Sequence, residues 1–239
     1  MGARGAPVLQ AGEVIGIAAR LGRFVSRSLG TSGRLLSVQQ AEYTHDPSTD
    51  RGRARRERII AVATDLFHER GFDATGIDDI GHAAGITGPG IYRHFASKDE
   101  ILIAVLDRVW MMLREGIDCA ADLPAGDALD VLIDTHVTLA VSHRAEFSLL
   151  LHDLRFLPRS YQELARANRA TYSDAWVEAL VGVRSDLSKD DAALMVGAAW
   201  RIASGTADAM TESGLTDDQL RSTLRQMTVG SLVGGRDLV

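Results

Sequence analysis

The stretch that most restricts the fold of this chain is residues 85–98, GITGPGIYRHFASK, which places Gly-Pro-Gly between two segments with helical spacing. A proline is tolerated in the first turn of a helix, because the first N–H groups have no intrahelical partner anyway. The stretch therefore predicts a helix that Thr87 caps and that begins with Gly88, Pro89 and Gly90. Glycines cost about 1 kcal/mol each in a helix, but they let its tip approach another molecule closely.

The residues after this tip divide into a core face and an exposed rim. Ile91 and Phe95 stand four positions apart, so they lie on one helix face and are expected in the core. The side chains left along the rim are Tyr92, Arg93 and His94.

Two helical segments precede the tip. The segment from Arg53 to Arg70 has one apolar face, and Gly71 is expected to follow its end because glycine is free to take a positive φ. Thr75 is expected to cap a second, short helix that ends at Gly85. This order of helix, glycine turn and helix predicts a helix-turn-helix, whose second helix enters the major groove of DNA.

Tyr92, His94 and Lys98 are expected to hold DNA phosphates beside this tip. Ser97 is predicted to cap the following helix and leaves Lys98 in its first turn, where a cation is slightly unfavourable for the helix dipole. A phosphate in front of Lys98 would explain its position.

Charge is distributed unevenly along a chain whose formal net charge is −6. Residues 51–98 hold eight basic and six acidic residues, whereas residues 99–239 hold thirteen and twenty-two. A basic module on an acidic carrier indicates that DNA contact is confined to one end. The single cysteine, Cys119, excludes an intrachain disulfide, and no apolar run reaches the roughly 18 residues of a membrane span, so we expect a cytoplasmic protein.

The segment from Arg55 to Leu106, RRERIIAVATDLFHERGFDATGIDDIGHAAGITGPGIYRHFASKDEILIAVL, resembles the DNA-binding domain of TetR/AcrR-type transcriptional regulators. The shared features are ordered and closely spaced: Leu66-Phe67, Gly71-Phe72, Thr75, Asp79-Ile80, Ala84-Gly85-Ile86, Ile91-Tyr92, His94-Phe95 and Ser97-Lys98. The resemblance implies an all-α chain, with an N-terminal three-helix helix-turn-helix domain followed by a larger helical domain for ligand binding and dimerisation.

By position, the resemblance assigns DNA contacts to Thr75, Thr87, Gly88, Pro89, Gly90, Tyr92, Arg93, His94 and Lys98. Arg93 is the best candidate for a base edge or a phosphate, and Thr75 could donate to a phosphate at the second helix. Two positions depart from the family pattern: Gly76 stands where Ser or Thr is usual, and Gly88 where Lys is frequent. Sequence readout is therefore expected to depend on Arg93, the backbone and DNA shape.

We expect three regions: a flexible or partly helical extension over 1–50, the helix-turn-helix domain over 51–98 and the C-terminal domain over 99–239. In the extension, apolar residues between Val14 and Val25 follow helical spacing. The predicted C-terminal helices are 98–118, 127–143, 145–153, 159–182, 189–212 and 216–232, with Asp127, Ser188 and Thr216 as start signals.

Within the family the last two long helices usually form a dimer bundle, which implies a homodimer on a pseudo-palindromic operator. The residues assigned to the interface are Gly197, Ile202, Gly205, Leu220, Leu224 and Met227. Ordinary packing within one chain is the alternative for them.

A ligand pocket is expected among the middle helices, and core packing is the alternative for each of its residues. The candidates are Trp110, Met111, Leu139, Phe147, Leu151, Arg155, Tyr172, Trp176 and Trp200. Arg155, Arg159, Arg166 and Arg169 could hold an anionic amphiphile such as an acyl-CoA, or they could pair with Asp153 and Glu163 on a solvated face.

The predicted function is a ligand-responsive DNA-binding regulator, a repressor released by a small molecule of unknown identity, without a cofactor and without a membrane partner. One alternative is a DNA-binding regulator that needs no ligand. A metal-dependent helical enzyme is the distant alternative, with His136, His143 and His152 as imaginable ligands, but no HExxH or nucleophile–base set is present.

Overall fold

The computed structural model of the chain describes residues 49–209 and 214–234, with the side chains of 206–209 left aside. These residues form nine α-helices and one 3-10 turn, in agreement with the predicted all-α class. The helix predicted between Val14 and Val25, and with it nearly all of the N-terminal extension, lies outside the described residues.

In chain order the helices are α1 (Asp50–Arg70), α2 (Ile77–Ala84), α3 (Gly88–Ile91), α4 (Lys98–Ala120), α5 (Ala125–Ser142), α6 (Arg144–His152), α7 (Arg159–Val183), α8 (Lys189–Ala209) and α9 (Asp217–Val233). The 3-10 turn, Leu154–Phe156, joins α6 to α7.

Local signals at three helix ends are confirmed. Gly71 has φ 86°, which favours glycine, and its N–H donates to the carbonyl of Phe67 at the end of α1. Ser97 accepts a hydrogen bond from the N–H of Glu100 at the start of α4, at 3.2 Å. Thr216 and Gln219 form a capping box at the start of α9.

The predicted cap of α2 is wrong by one residue. The N-cap is Gly76, and the carboxylate of Asp79 accepts a hydrogen bond from its N–H at 2.9 Å. Thr75 is 1% exposed, and its hydroxyl donates to the carbonyls of Leu66 at 3.2 Å and Gly71 at 2.9 Å. Thr75 therefore ties the α1–α2 connection to the end of α1.

The corner between α2 and α3 is held by close backbone contact. The N–H of Ile86 donates to the carbonyl of Gly81, and Gly85 takes φ 71°, a left-handed conformation that suits glycine. Arg58 of α1 donates from Nε to the carbonyl of Ala84 at 3.0 Å, so it satisfies the last turn of α2. The supporting helix thus fixes the angle at which α3 projects.

Helices α4 to α9 pack around α5, which contacts α4, α6, α7, α8 and α9. Helices α8 and α9 pack against each other, and both contact α5. The assignment of Leu220 and Leu224 to a dimer surface is wrong, because they are only 3% and 0% exposed and belong to the core of their own chain. Among the described helices, none has the length and apolar character that crossing a membrane requires.

Candidate functional site

A groove runs between the start of α1 and the tip of α3, with a volume of about 520 Å³. We call it the basic groove, because Arg51, Arg55, Arg93 and His94 line it. Among the described residues, none of these three arginines forms an ion pair. The other lining residues include Thr87, Pro89 and Gly90, which were predicted to contact DNA.

Helix α3 presents its tip to this groove because its other side is anchored in the core. Ile91 and Phe95 are 0% and 1% exposed, as the four-residue spacing predicted. Arg56 of α1 lies over the ring of Phe95, with its Cζ 4.3 Å from the ring centroid. Tyr92 is 58% exposed beside the groove, and Arg93 is exposed within it.

Sequence reasoning did not single out Arg51 and Arg55 as contacts. Both belong to the first turns of α1, and the sequence spacing alone does not show that this helix end lies beside residues 87–94. The signal that was present is the basic excess of residues 51–98.

Gly88 is a close-approach position at the start of α3. A Cβ atom added there would lie 2.1 Å from Oδ1 of Asp78, so the Asp78 carboxylate occupies the space beside it. The lysine that is frequent at this position in TetR-type regulators would have to displace that carboxylate. A negative charge thus stands next to the tip where a positive one is common.

Two of the predicted phosphate contacts are corrected by the structure. Thr75 is buried, and its hydroxyl is used by two carbonyl groups. Lys98 donates from Nζ to the carbonyls of Phe72 at 2.7 Å and Thr75 at 3.0 Å. These two bonds to the connection between α1 and α2 explain the position of Lys98 in the first turn of α4 without a phosphate.

Four side chains form a row that joins the α1–α2 connection to the 3-10 turn. Lys98 Nζ lies 4.3 Å from the ring centroid of Phe72, and Phe72 stacks on Phe156 at 5.3 Å with 27° between the rings. Arg155 Cζ lies 4.8 Å from the ring centroid of Phe156. The prediction of Arg155 as a pocket residue is therefore wrong: its guanidinium covers Phe156.

A second cavity, of about 590 Å³, opens among α4 to α8. We call it the aromatic cavity. Of the residues predicted for a pocket, it is lined by Trp110, Phe147, Leu151, Tyr172 and Trp200. Its volume lies within the range of about 300–1,000 Å³ that small-molecule sites usually have.

Three other predicted pocket residues lie elsewhere. Met111 is 51% exposed and does not line the cavity, and Leu139 is 1% exposed in the core of the bundle. Trp176 is 0% exposed and packs edge-on against Tyr172 and Trp200, so it lies one layer behind the wall. Hydrophobic periodicity predicts that all three lie on helices, but it does not distinguish a residue that lines a cavity from one that packs elsewhere.

Cations surround the mouth of the aromatic cavity. Arg166 and Arg169 of α7 line it, as does Arg201 of α8. Within residues 49–209 and 214–234, no carboxylate lies within ion-pair distance of them. Arg159, by contrast, pairs with Glu163 at 3.0 Å. Arg201 was missed because it comes from a helix distant in sequence from the other two.

His136 of α5 lies at the floor of this cavity and is 3% exposed. Its Nε2 lies 3.3 Å from Oγ of Ser204 on α8. Burial lowers the pKa of His136 from 6.5 to about 4, because the surrounding rings replace water that would stabilise the charged form. The imidazole is therefore neutral at physiological pH.

The buried imidazole predicts a pH-dependent stability. The unfolded chain protonates this histidine below about pH 6.5, whereas the folded chain keeps it neutral down to about pH 4. The free energy of unfolding should therefore fall as the pH falls through this window, by up to about 3 kcal/mol. We expect His136→Gln to remove this component when urea denaturation is compared near neutral pH and at about pH 5. Parallel pH profiles for the two proteins would contradict the assignment.

The histidines that were imagined as metal ligands lie in different surroundings. His136 is in the aromatic cavity, His143 lies 3.9 Å from a carboxylate oxygen of Glu146, and the Nδ1 of His152 is 2.9 Å from the carbonyl of Ser148. In the part of the chain that the structure describes, no three His, Cys, Asp or Glu side chains come together as metal ligands would.

Comparison with known proteins identifies the helix-turn-helix segment. Residues 59–105 match the family model described as bacterial regulatory proteins, tetR family. The chain is 33% identical over 99 residues to the HTH-type transcriptional activator FasR of Mycolicibacterium smegmatis, a match that covers 41% of this chain and 42% of that protein. It is 38% identical over 96 residues to the HTH-type transcriptional repressor KstR2 of Rhodococcus jostii, with 38% and 46% covered. The matches thus span less than half the length of these relatives.

Solved structures extend the likeness to the fold of the helical bundle. AibR in complex with isovaleryl coenzyme A and operator DNA aligns with a TM-score of 0.63 at 20% identity, covering 72% of this chain and 97% of that one. The TetR family transcriptional regulator PfmR from Thermus thermophilus aligns with a TM-score of 0.64 at 22% identity, covering 73% and 97%. These similar proteins are transcriptional regulators, which agrees with the prediction that the chain is not an enzyme.

Proposed function

Since residues 59–105 match the family model of bacterial regulatory proteins, tetR family, we propose that the chain is a sequence-specific DNA-binding repressor that a small molecule releases from its operator. The observation that carries the proposal is the basic groove, in which the α3 tip and the start of α1 share one surface. Arg51, Arg55 and Arg93 line this surface and form no ion pair among the described residues, so their charge is available to phosphates and base edges.

The DNA-bound form is proposed to be a homodimer on a pseudo-palindromic site, as half-site spacing then matches the two-fold axis. The corrected interface uses the exposed side of α8 and α9 in place of their buried leucines. Leu194 is 75% exposed and Met227 is 44% exposed, while Gly205 is exposed and Ile202 is half-buried. Gly197 and Gly205 also border the aromatic cavity, so this side lies close to its mouth.

The aromatic cavity favours a ligand-responsive regulator over one that needs no ligand. A regulator without a ligand would be expected to fill its middle core, whereas this one keeps about 590 Å³ open among rings. Arginines at the mouth suit an anionic ligand, and the fold neighbour AibR is in complex with a coenzyme A thioester. An anionic small molecule is therefore the proposed effector.

The row from Lys98 to Arg155 supplies the proposed coupling between the cavity and the DNA-binding helices. Leu154 lines the aromatic cavity, and Phe156, two residues later, stacks on Phe72 in the α1–α2 connection. A ligand that displaces the 3-10 turn would move Phe156 against Phe72 and so change the spacing of the α3 tips. The ligand can change this spacing only if it binds one arrangement of the α3 tips more tightly than the other.

The proposed function is tested with an operator duplex that the full-length protein enriches from a random pool. Binding is measured by fluorescence anisotropy over a salt series. Specific regulation predicts binding that survives about 150 mM salt and exceeds binding to a scrambled duplex by about a thousandfold or more. Equal, salt-sensitive binding to both duplexes would overturn it.

Arg93→Ala is expected to weaken operator binding by about tenfold to a hundredfold, because a guanidinium on a base edge is worth about 1–3 kcal/mol. The same anisotropy titration measures it. Arg159→Ala is the matched control: it also removes one guanidinium, but from an exposed pair with Glu163 on α7. Equal losses for both variants would mean that only overall charge matters and that Arg93 makes no contact.

A further inference from the structure

The polar groups at the floor of the aromatic cavity have unused hydrogen-bonding capacity. Ser204 is half-buried and lines the cavity, and among the described residues its hydroxyl has only Nε2 of His136 as a partner. The His136 ring also has the backbone carbonyl of Trp200 as a hydrogen-bonding neighbour, whereas its Nδ1 is buried and has no hydrogen-bond partner in the described part of the chain. Buried polar atoms are usually paired, because an unmade bond is costly, so the floor is built to receive a polar group.

This polar pair lies among flat ring faces. His136 lies nearly parallel to Trp200, at 5.6 Å and 16°, and Tyr172 lies nearly parallel to Trp200, at 5.2 Å and 25°. Phe147 meets His136 edge-on at 5.2 Å and 89°. Walls of this kind favour offset stacking with a rigid ring over contact with a flexible chain.

The mouth supplies the opposite end of the ligand with positive charge. Arg201 stands three residues before Ser204 on α8, and Arg169 stands three residues before Tyr172 on α7. Arg169 and Arg201 are exposed, whereas His136 is only 3% exposed, so the cations lie at the solvent side of the cavity and the imidazole lies at its inner end. Arg169 also lies over Trp200, with Cζ 5.9 Å from the ring centroid.

We infer that the aromatic cavity selects a ring compound with an anionic group at one end and a neutral hydroxyl or carbonyl at the other, and that the Ser204–His136 pair binds the neutral group. This inference rests on the proposed function for its biological meaning, and it names the ligand class of the same site. A saturated acyl chain ends in a methyl group, which leaves the pair unsatisfied. A site built around a hydrogen bond discriminates against the analogue that lacks it.

The test uses the full-length protein without DNA and two probes that differ by one hydroxyl. They are naphthoate and the hydroxynaphthoate whose hydroxyl and carboxylate lie at opposite ends of the rings. Binding is measured by calorimetry and by quenching of tryptophan fluorescence, since Trp200 lies in the wall. We expect hydroxynaphthoate to bind about tenfold more tightly than naphthoate, the usual value of one net hydrogen bond.

Ser204→Ala should remove this preference and leave naphthoate binding unchanged. Ser148→Ala is the matched control, since Ser148 is also a half-buried helical serine but does not line the cavity. It should preserve the tenfold preference. Equal binding of the two probes to the unmodified protein, or a preference that persists in Ser204→Ala, would overturn the inference. Absence of saturable hydroxynaphthoate binding would overturn it too.

The anionic end can come from a free carboxylate or from a coenzyme A thioester, whose phosphates carry the charge. Tighter binding of the hydroxynaphthoyl thioester assigns the ligand to coenzyme A conjugates, and tighter binding of the free acid assigns it to carboxylates. The ligand titrations contain no DNA, so a negative result in them does not affect the result of the operator titration. Conversely, if the operator titration fails, the preference for hydroxynaphthoate can still be measured.

Discussion

Gly81→Ala is expected to weaken operator binding by about tenfold or more while the chain stays folded. A Cβ atom at this position would lie 3.0 Å from the carbonyl oxygen of Ile86, 3.2 Å from the N atom of Gly88 and 3.3 Å from the carbonyl carbon of Thr87. These are backbone atoms of the turn that leads into α3, so they cannot move aside as a flexible side chain does. The turn must shift, and the α3 tip shifts with it.

Gly126→Ala provides the control for this prediction. Gly126 also belongs to a helix, in the first turn of α5, and a Cβ atom there meets nothing within 4 Å. Both substitutions replace a helical glycine by a better helix former, so they differ chiefly in the space around the new methyl group. Anisotropy titration with the enriched operator should find Gly126→Ala unchanged. If Gly81→Ala bound the operator as tightly, α3 would not depend on this close approach.

Trp176→Ala is expected to lower the free energy of unfolding by about 3–5 kcal/mol, a large part of the stability of an ordinary domain. Trp176 is 0% exposed and meets three rings edge-on: His136 at 5.8 Å, Trp200 at 6.0 Å and Tyr172 at 6.1 Å. Its removal leaves a void that these rings cannot fill without giving up their contact with each other.

Trp200→Ala is the comparison for that measurement. Trp200 is half-buried and faces open space in the aromatic cavity. Its removal enlarges a cavity that already exists and breaks fewer packing contacts than the removal of Trp176. Urea denaturation should find it clearly less costly than Trp176→Ala. Equal losses for the two variants would mean that the cavity is closed in solution and that Trp200 is core.

What the sequence predicts well depends on how local the interaction is. Ser97 and Thr216 were recognised as helix caps because a cap acts over three residues, and both accept the expected backbone N–H. Lys98 was misread because its partners, the carbonyls of Phe72 and Thr75, lie 26 and 23 residues away. From the sequence alone, a lysine at the start of a helix is expected to contact solvent or a phosphate, because its tertiary partners are not known.

The basic groove and the aromatic cavity were likewise predicted only where local sequence signals determine them. The α3 tip was found from Gly-Pro-Gly, but the contribution of Arg51 and Arg55 to the basic groove depends on how α1 lies against it. In the bundle, spacing identifies which residues are apolar and helical. It does not tell that Leu220 and Leu224 turn inward. Nor does it bring Arg201 to the arginines of α7, since that requires the packing of α7 against α8.

The stack of Phe72 on Phe156 has a consequence for building hybrid regulators. Phe72 belongs to the helix-turn-helix segment and Phe156 to the bundle, and each carries its own cation, Lys98 and Arg155. A chimera that receives only the helix-turn-helix segment of another regulator would acquire the operator preference of that regulator. The ring at position 72 would then face Phe156 without having been matched to it. Exchange of this segment together with Phe156 and Arg155 should be the smallest graft that transfers a DNA preference and keeps the response to the effector.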